Sequence, residues 1–432
     1  MKRYSEYKDS GVKWIGEIPG HWKTPKLNRV VSKVGSGSTP RGGSEVYIDE
    51  GIKFLRSQNI HFEGLNLDSV VYIPDSINEQ MKNTQVQPFD VLLNITGGSI
   101  GRCFYVDDTL GKANVNQHVC IIRPLSVNYR FLKYFLQSNS GQSQVWFYQK
   151  GDREGLSAES IKTFRLPLPP LPEQEAIVTY LDTKVAKIDE YISIAEKKIA
   201  ALEELRQTII TEAVTRGIHK DVPMKDSGVK WIGMIPEHWD LKRTAMLFSE
   251  NRKKNINYEF DHALKFNYGK LVSKNEIGDV SSLKETYMAY TIINKNDIAI
   301  NCLNLNYDFV SQRVAISPQK GIITSAYLII TPRQGVEAMY YNYLFKAMDS
   351  KKLFHGMGTG IRLTLSFSEL KKQQIPVPLL SEQQEIVTYI EEKVANINQL
   401  CQAERSQIEK LKEYKQRLIS DVVTGKVKVT ND

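Results

Sequence analysis

Pro172-Glu173-Gln174-Glu175-Ala176-Ile177-Val178-Thr179-Tyr180 opens a stretch that closes at Gly217. Ser381-Glu382-Gln383-Gln384-Glu385-Ile386-Val387-Thr388-Tyr389 opens a second that closes at Gly425. Matching residues are displaced by 209 positions (382 − 173), and the same offset carries Val185-Ala186 onto Val394-Ala395 and Val214-Thr215 onto Val423-Thr424. In the first copy Leu181, Ile188, Ala195, Leu202 and Ile209 recur at every seventh residue, with Val185, Ile192, Ile199 and Ala213 four positions behind. The second keeps the stripe with Ile390, Ile397, Leu411, Leu418, Val394, Cys401, Ile408 and Val422, and Glu404 interrupts it. An apolar seam sustained over several heptads predicts a helix buried along one side. Pro172 suits a first helical turn, Ser381 with Gln384 has the form of a capping box, and Gly217 and Gly425 are stop residues. About 40 residues at 1.5 Å rise predict a rod of roughly 60 Å. Two equivalent helices paired as a spacer account for the duplication.

A chain of 432 residues exceeds one ordinary core, and 41% hydrophobic with 25% charged residues is the composition of a soluble globular protein. No apolar run is long enough to span a membrane, and the charged Met1-Lys2-Arg3 start predicts no secretory signal. Cys103, Cys120, Cys302 and Cys401 are scattered without C-x-x-C spacing, which predicts neither a zinc site nor a disulfide framework and fits a reducing cytoplasm. The net charge of +8 is uneven. Residues 1–165 carry 21 Lys and Arg against 16 Asp and Glu (+5), and residues 221–374 carry 21 against 15 (+6). Residues 166–220 stand at −2 (7 against 9) and 375–432 at −1 (8 against 9). The basic excess thus lies outside the helices, as expected of globular parts that face a polyanion and rods that do not.

A second repeat begins each half. Lys8-Asp9-Ser10-Gly11-Val12-Lys13-Trp14-Ile15-Gly16 returns as Lys225-Asp226-Ser227-Gly228-Val229-Lys230-Trp231-Ile232-Gly233, and each copy runs on to Ile-Pro-x-His-Trp, ending at Trp22 and Trp239. The organisation is therefore tag (1–22), head (23–165), helix (166–220), tag (221–239), head (240–374), helix (375–432). A tag follows the first helix and none follows the second. The amino-terminal tag fills that vacancy if the chain closes on itself with approximate two-fold symmetry, which makes the helices antiparallel with a head at each end. The tag histidines have no partner at metal-ligand spacing, so His21, His238 and the tryptophans read as anchors.

Residues 23–165 alternate short apolar runs with Gly, Pro, Asn and Asp, predicting mixed strands and short helices. Residues 34–43 read as a flexible loop lacking the Gly-Lys-Ser/Thr end of a P-loop. Val91-Leu92-Leu93 reads as a buried strand leading to the small polar residues Thr96-Gly97-Gly98-Ser99. The second head shares little with the first beyond Asp297, Asn301 and Pro332, which echo Asp90, Asn94 and Pro124. A kept frame with divergent faces is suited to recognising two different things at a set distance. Catalytic patterns are missing. Asp182-Thr183-Lys184 has the D-x-K form of a nuclease but lies in the heptad helix, where a solvated face is the plainer reading, and no amino-methyltransferase, Gly-x-Ser-x-Gly or His-Glu-x-x-His signature occurs.

The doubled order of Trp-Ile-Gly-x-Ile-Pro-x-His-Trp, variable head and Pro-Leu-Pro-Glu-Gln-x-x-Ile-Val helix resembles the specificity (S) subunits of type I restriction–modification systems. Asp90-Val91-Leu92-Leu93-Asn94-Ile95-Thr96-Gly97 with Asn116-Gln117-His118 resembles the interior of that family's target-recognition domains; the second head departs most, with Asn301-Cys302-Leu303-Asn304 in place of the Thr-Gly-Gly turn. The resemblance implies an α+β fold: two mixed α/β target-recognition domains separated by two long helices in an antiparallel coiled coil, with a pseudo-two-fold internal repeat. It implies a non-catalytic, cytoplasmic, bacterial or archaeal subunit that reads one half of a bipartite double-stranded DNA target with each head. Two modification (M) subunits and restriction (R) subunits would be its partners. S-adenosylmethionine, ATP and Mg2+ would sit on those partners, with no cofactor or metal on this chain.

Arg, Lys, Asn and Gln are the usual readers of base edges. The candidates are Ser38, Thr39, Arg41, Arg56, Gln58, Asn59, Asn94, Thr96, Ser99 and Arg102 in the first head, and Arg252, Lys253, Lys254, Lys274, Asn304, Asn306 and Arg313 in the second. Arg153 and Arg362, equivalent by the repeat, suit phosphate or the frame. Alternative readings are a coiled-coil scaffold whose heads bind proteins, and a self-sufficient DNA methyltransferase or nuclease.

Overall fold

The structure, a computed structural model, describes residues 2–149, 155–274, 280–358 and 363–429. Its compact units cut across the linear order: residues up to Ala195 and from Ser406 onward form one, and Glu196–Arg405 the other. Each unit holds one tag, one head, the start of the helix that follows that head, and the end of the other helix.

In the first unit the tag is a hairpin of β1 (Tyr7–Asp9) and β2 (Glu17–Pro19). Asp9 caps its turn, its carboxylate accepting the Gly11 N–H at 2.9 Å, which explains the Asp-Ser-Gly part of the repeated phrase. The head carries β3 (Val31–Ser36), β4 (Ile52–Leu55), β5 (Val71–Ile73), α1 (Asp75–Gln80), β6 (Val91–Asn94), β7 (Cys103–Tyr105), β8 (Ala113–Val115) and β9 (Val119–Pro124), then α2 (Tyr129–Gln137), α3 (Asn139–Tyr148) and α4 (Ala158–Lys162). An antiparallel sheet of order β3-β9-β6-β7 lies at its centre, beside a smaller β5-β4-β8 sheet in which β4 and β8 are parallel. Both faces of the central sheet are covered. Val91, Leu93, Cys120 and Ile122 pack on Phe131 and Phe135 of α2, while Leu92, Val119 and Ile121 meet Leu55, Ile60 and Val115. Alternate residues of one strand therefore enter two different cores. The run from Val34 is not all loop: Val34, Gly35 and Ser36 pair with β9.

A long helix, α5 (Leu171–Arg216), leaves the first head. The second unit follows with a tag hairpin of β10 (Met224–Asp226) and β11 (Met234–Pro236), then β12 (Asp240–Arg243), α6 (Thr244–Leu247), β13 (Phe248–Glu250), β14 (Leu264–Asn267) and β15 (Lys270–Ser273). Next come α7 (Val280–Met288), β16 (Thr291–Ile293), β17 (Ile298–Ile300), β18 (Val314–Ile316), β19 (Gly321–Ile323), β20 (Leu328–Pro332), α8 (Ala338–Ser350), α9 (Phe367–Leu370), β21 (Gln374–Val377) and the second long helix, α10 (Leu380–Val423). Its central sheet, β13-β20-β17-β18, repeats the first head's topology. The faint echo is structural. Asp90 accepts the N–H of Gln87 at 2.7 Å and Asp297 that of Asn294 at 2.9 Å, each bracing the turn before the central strand. Asn94 ends β6 and Asn301 directly follows β17, their N–H groups bonded to Arg102 and Arg313 carbonyls at 2.8 Å. The expected boundaries at 165/166 and 374/375 fall inside ladders that join each head's start to its exit, Lys23 to Leu168 and β12 to β21.

The helix seam is realised within each unit. In the first, Leu181 and Ile188 are buried, and Val185 and Ile192 half-buried, in the core that takes in Leu411 and Leu418; Ile408 is buried as well. Lys415 reaches Asp189 at 2.7 Å. In the second, Ile390 is buried and Val394 packs beside it, Ile397 is buried, and Ile199, Leu202 and Ile209 are half-buried. There Arg405 pairs with Glu203 at 2.9 Å, and Glu404, the break in the stripe, receives Lys198. Higher numbers on one helix meet lower numbers on the other in both units, so the paired segments run antiparallel. Near the end of α5 the buried face moves from Ile209 to Ile210, Ala213 and Val214, because a 3.6-residue helix drifts from a seven-residue repeat and here turns toward the head. Ser381 lies inside the first turn, since α10 begins at Leu380, so it is not the cap its spacing suggested.

Candidate nucleic-acid interface

The frame that holds the heads comes first. His21 Nε2 and Trp22 Nε1 lie 2.9 and 3.1 Å from Glu173, and His238 Nε2 and Trp239 Nε1 both lie 2.9 Å from Glu382. The next residue turns the other way. Gln174 accepts the Asn128 N–H at 2.8 Å at the start of α2, and Gln383 accepts the Glu337 N–H at 2.9 Å at the start of α8. The repeated Glu-Gln dipeptide therefore clamps tag and head onto each helix. The vacancy after the second helix is filled as expected: Tyr7 Oη donates to the Gly425 carbonyl at 3.0 Å, and the Lys428 N–H to that of Lys2 at 2.9 Å. Asp182 is more than a solvated carboxylate, for it accepts from Arg130 at 2.8 Å and Tyr134 at 2.7 Å and ties α2 to α5.

In the first head four loops meet at the end of β6. The Asn94 amide donates to the Ser57 carbonyl at 2.8 Å and draws in residues 56–59. The Gly37 N–H bonds Val119, and a Cβ at Gly37 would stand 2.2 Å from the Asn116 carbonyl, so only glycine lets that loop approach. Thr96 Oγ1 and His118 Nδ1 lie 2.6 Å apart, and Gln117 reaches His118 Nε2 at 3.1 Å. Thr39, Arg41, Gln58 and Gln117 are exposed and Ser38, Arg56, Thr96, Ser99 and Arg102 half-exposed, with Arg56 braced on the Ser69 carbonyl. This is a polar surface of mixed donors and acceptors, the chemistry that base edges and phosphates require. Asn59 and Asn94 do not belong to it. Both are buried and spend their amides on Asn66 and Ser57, which makes them loop braces rather than base readers. Gln117 and His118 carry part of the family resemblance but are not among the sequence candidates; only the fold brings them to Thr96.

The second head's candidates divide. Arg252 and Lys253 lie with Asn294 and Lys320 around one hollow, at the end of β17 remote from Asn301. Lys254 donates to the Ala289 carbonyl at 3.2 Å, and Lys274 lies over the neighbouring Tyr290 ring. Asn304 and Asn306 belong instead to the loop between β17 and β18. Arg313 is wholly buried beneath that loop and donates to the carbonyls of Asn301, Leu303 and Asp308 at 3.1, 2.7 and 2.7 Å, so it shapes the loop and cannot reach a base. The Ser311 hydroxyl and N–H hold the Asp308 carboxyl down at about 2. Arg153 and Arg362 lie outside the described residues. Among the described residues no group of three or more His, Cys, Asp or Glu is placed to hold a metal, and no helix is long and apolar enough to cross a membrane.

The comparisons agree with this frame. The chain is 24% identical to the type I restriction enzyme MjaVIII specificity subunit of Methanocaldococcus jannaschii, covering 84% of this chain and 86% of that one. It is 23% identical to the EcoBI specificity subunit of Escherichia coli, covering 79% and 74%. In fold it is similar to a chain from a study of complex assembly and conformational transition of the type I R-M system (TM-score 0.70, 15% identity, 95% and 99% covered). It is also similar to the HsdS subunit of Thermoanaerobacter tengcongensis (TM-score 0.53, 15% identity, 95% and 98% covered). The type I restriction modification DNA specificity domain matches twice, over residues 19–204 and 236–410, once for each tag-braced head and the helix it feeds, and the chain belongs to that family.

Proposed function

We propose that this chain is the DNA-reading subunit of a type I restriction–modification complex, with each head addressing one half of a bipartite, asymmetric target. One observation carries the reading: two heads on one frame and one sheet topology end their central strands in unlike loops, a short polar turn after Asn94 and a longer loop after Asn301 that exposes Tyr307 and Val310. The frame is common, so it cannot choose between sequences; the loops differ, so they can. At 46 and 44 residues, α5 and α10 are each about 70 Å long, roughly 20 base pairs at 3.4 Å per step. Such helices suit a rod that sets the untouched spacer and offers its sides to two modification subunits. Those subunits would hold S-adenosylmethionine and methylate adenine, and restriction subunits would add ATP- and Mg2+-dependent translocation and cleavage in the cytoplasm. The heads' basic excess suits them to a polyanion and the helices' slight negative charge does not. The test mixes this chain with a cognate modification subunit and sequences the methylated DNA. Methylation confined to one bipartite sequence is expected. Methylation without sequence preference, or methylation or cleavage by this chain alone, would overturn the assignment.

A further inference from the structure

The loop between β17 and β18 spans residues 301–313, against 95–102 for its counterpart in the first head, and it turns apolar side chains outward. Tyr307 is 79% exposed and Val310 92%, and Tyr268, 91% exposed, stands at the tip of the β14–β15 hairpin. Gln312 lies against Gly269, so hairpin and loop are neighbours. The loop is internally braced. Arg313 gathers four of its carbonyls, the Asp308 carboxylate accepts the N–H groups of Val310 and Ser311 at 3.1 and 2.9 Å, and the His355 ring stacks on Phe309 at 4.7 Å. Tyr307 and Val310 are thus held outward before any partner arrives, which lowers the ordering cost of binding.

A second observation concerns charge. Lys270 and Lys346 make no ion pair among the described residues, and the charges bearing on half-buried Lys346 are the cations Lys270 and Arg206. In the first unit the repeat-equivalent of Arg206 is Lys415 (206 + 209), which is paired to Asp189. In the second unit the position matching Asp189 is Asn398 (189 + 209), and among the described residues Arg206 meets only its neutral amide, at 3.2 Å. The loop's own carboxylate, Asp308, is engaged by the Val310 and Ser311 N–H groups, and apolar prominences on a face whose cations have no carboxylate partner among the described residues match a ligand that is apolar between its charges and anionic along its edges. A stacked duplex has that form, and an apolar protein face would leave these cations uncompensated.

We propose that this face deforms the DNA half-site read by the second head: Tyr307 and Val310 wedge at a base-pair step, Tyr268 packs beside them, and Arg206, Lys270 and Lys346 hold the flanking phosphates. The proposal rests on the DNA-reading function above. The second head then reads sequence partly as deformability, so its half-site contains a pyrimidine–purine step, which unstacks most readily. The test uses the full chain with its modification subunit on its mapped target, with 2-aminopurine replacing in turn each adenine of either strand except the methylated one. The second head's half is the one whose preference survives Thr96→Ala. Emission should rise at one step of that half. Tyr307→Ser with Val310→Ser, both exposed positions, should abolish the rise and weaken binding about ten-fold, and Lys270→Gln should keep the rise while flattening the salt dependence. An unchanged rise in the double variant would overturn the proposal, as would loss of the modification subunit with DNA preference intact, which would make the loop a protein contact. If the wild-type complex shows no sequence-specific methylation, the function proposed above fails instead.

Discussion

Trp22 donates its indole N–H to Glu173 at 3.1 Å across 151 residues of chain, and this bond fastens the amino-terminal tag to the first turn of α5. The indole is wholly buried, so removing its acceptor leaves a donor that water cannot reach. Glu173→Ala should therefore cost about 2 kcal/mol, and Glu382→Ala about as much through Trp239. The two pairs share no partner, so the losses should add in the double variant. Urea unfolding of the three variants checks this; a double variant no worse than either single one would refute independent clamps.

The two helix ends should respond unequally to one substitution. Gly217 and Gly425 both sit at φ +75°, where any L side chain is strained. A Cβ at Gly425 would lie 2.3 Å from the Pro19 ring, whereas one at Gly217 comes no closer than 3.3 Å to Trp239. Gly217→Ala should cost about 1 kcal/mol from backbone strain, and Gly425→Ala clearly more, because the tag must move. Thermal unfolding of each protein measures the difference.

Burial, with Lys270 and Arg206 adding repulsion, pushes Lys346 down to about 8 from its ordinary 10.5. The folded chain then binds fewer protons than the unfolded chain between those values, so this lysine's penalty is full below about pH 8 and fades as pH rises to 10.5. Lys346→Met should stabilise the protein by about 2–3 kcal/mol at pH 7, with the gain shrinking toward pH 10. Lys133 is also lowered to about 8 by burial, yet its ammonium sits 3.2 Å from the Tyr134 ring centroid, so Lys133→Met should gain less. Denaturation of variant and parent across pH 7–10 provides the test. A gain at Lys346 that does not vary with pH would contradict it.

At the first head's polar surface, Thr96→Ala and Gln117→Ala should each relax base preference in one half of the target by about 1–3 kcal/mol per lost contact and leave the other half unchanged. Methylation mapping with the modification subunit reads both halves at once.

Seven residues inserted into each helix at the level of the Lys198–Glu404 pair keep the apolar seam in phase, whereas four would introduce a stutter. The preferred spacer should lengthen by roughly 10 Å, about three base pairs, with both half-sites intact. An altered half-site at constant spacing would reverse the division of labour between rod and heads.

Repetition made the frame legible in the sequence. Heptads, the 209-residue offset and the unmatched tag predicted two antiparallel helices and a chain that closes on itself, because helix periodicity and duplication are linear properties. Tertiary structure decided what each polar residue does. Asn59, Asn94 and Arg313 have the chemistry of base readers, yet the sheet buries all three and turns them onto backbone carbonyls. Asp182 reads as a solvated helix carboxylate and becomes a tie to Arg130 and Tyr134. Tyr268, Tyr307 and Val310 have side chains suited to a core, and the fold leaves all three in solvent. Residue type sets what a side chain can bond; burial, decided by strands and helices far away in the chain, sets which of those bonds remain to be made.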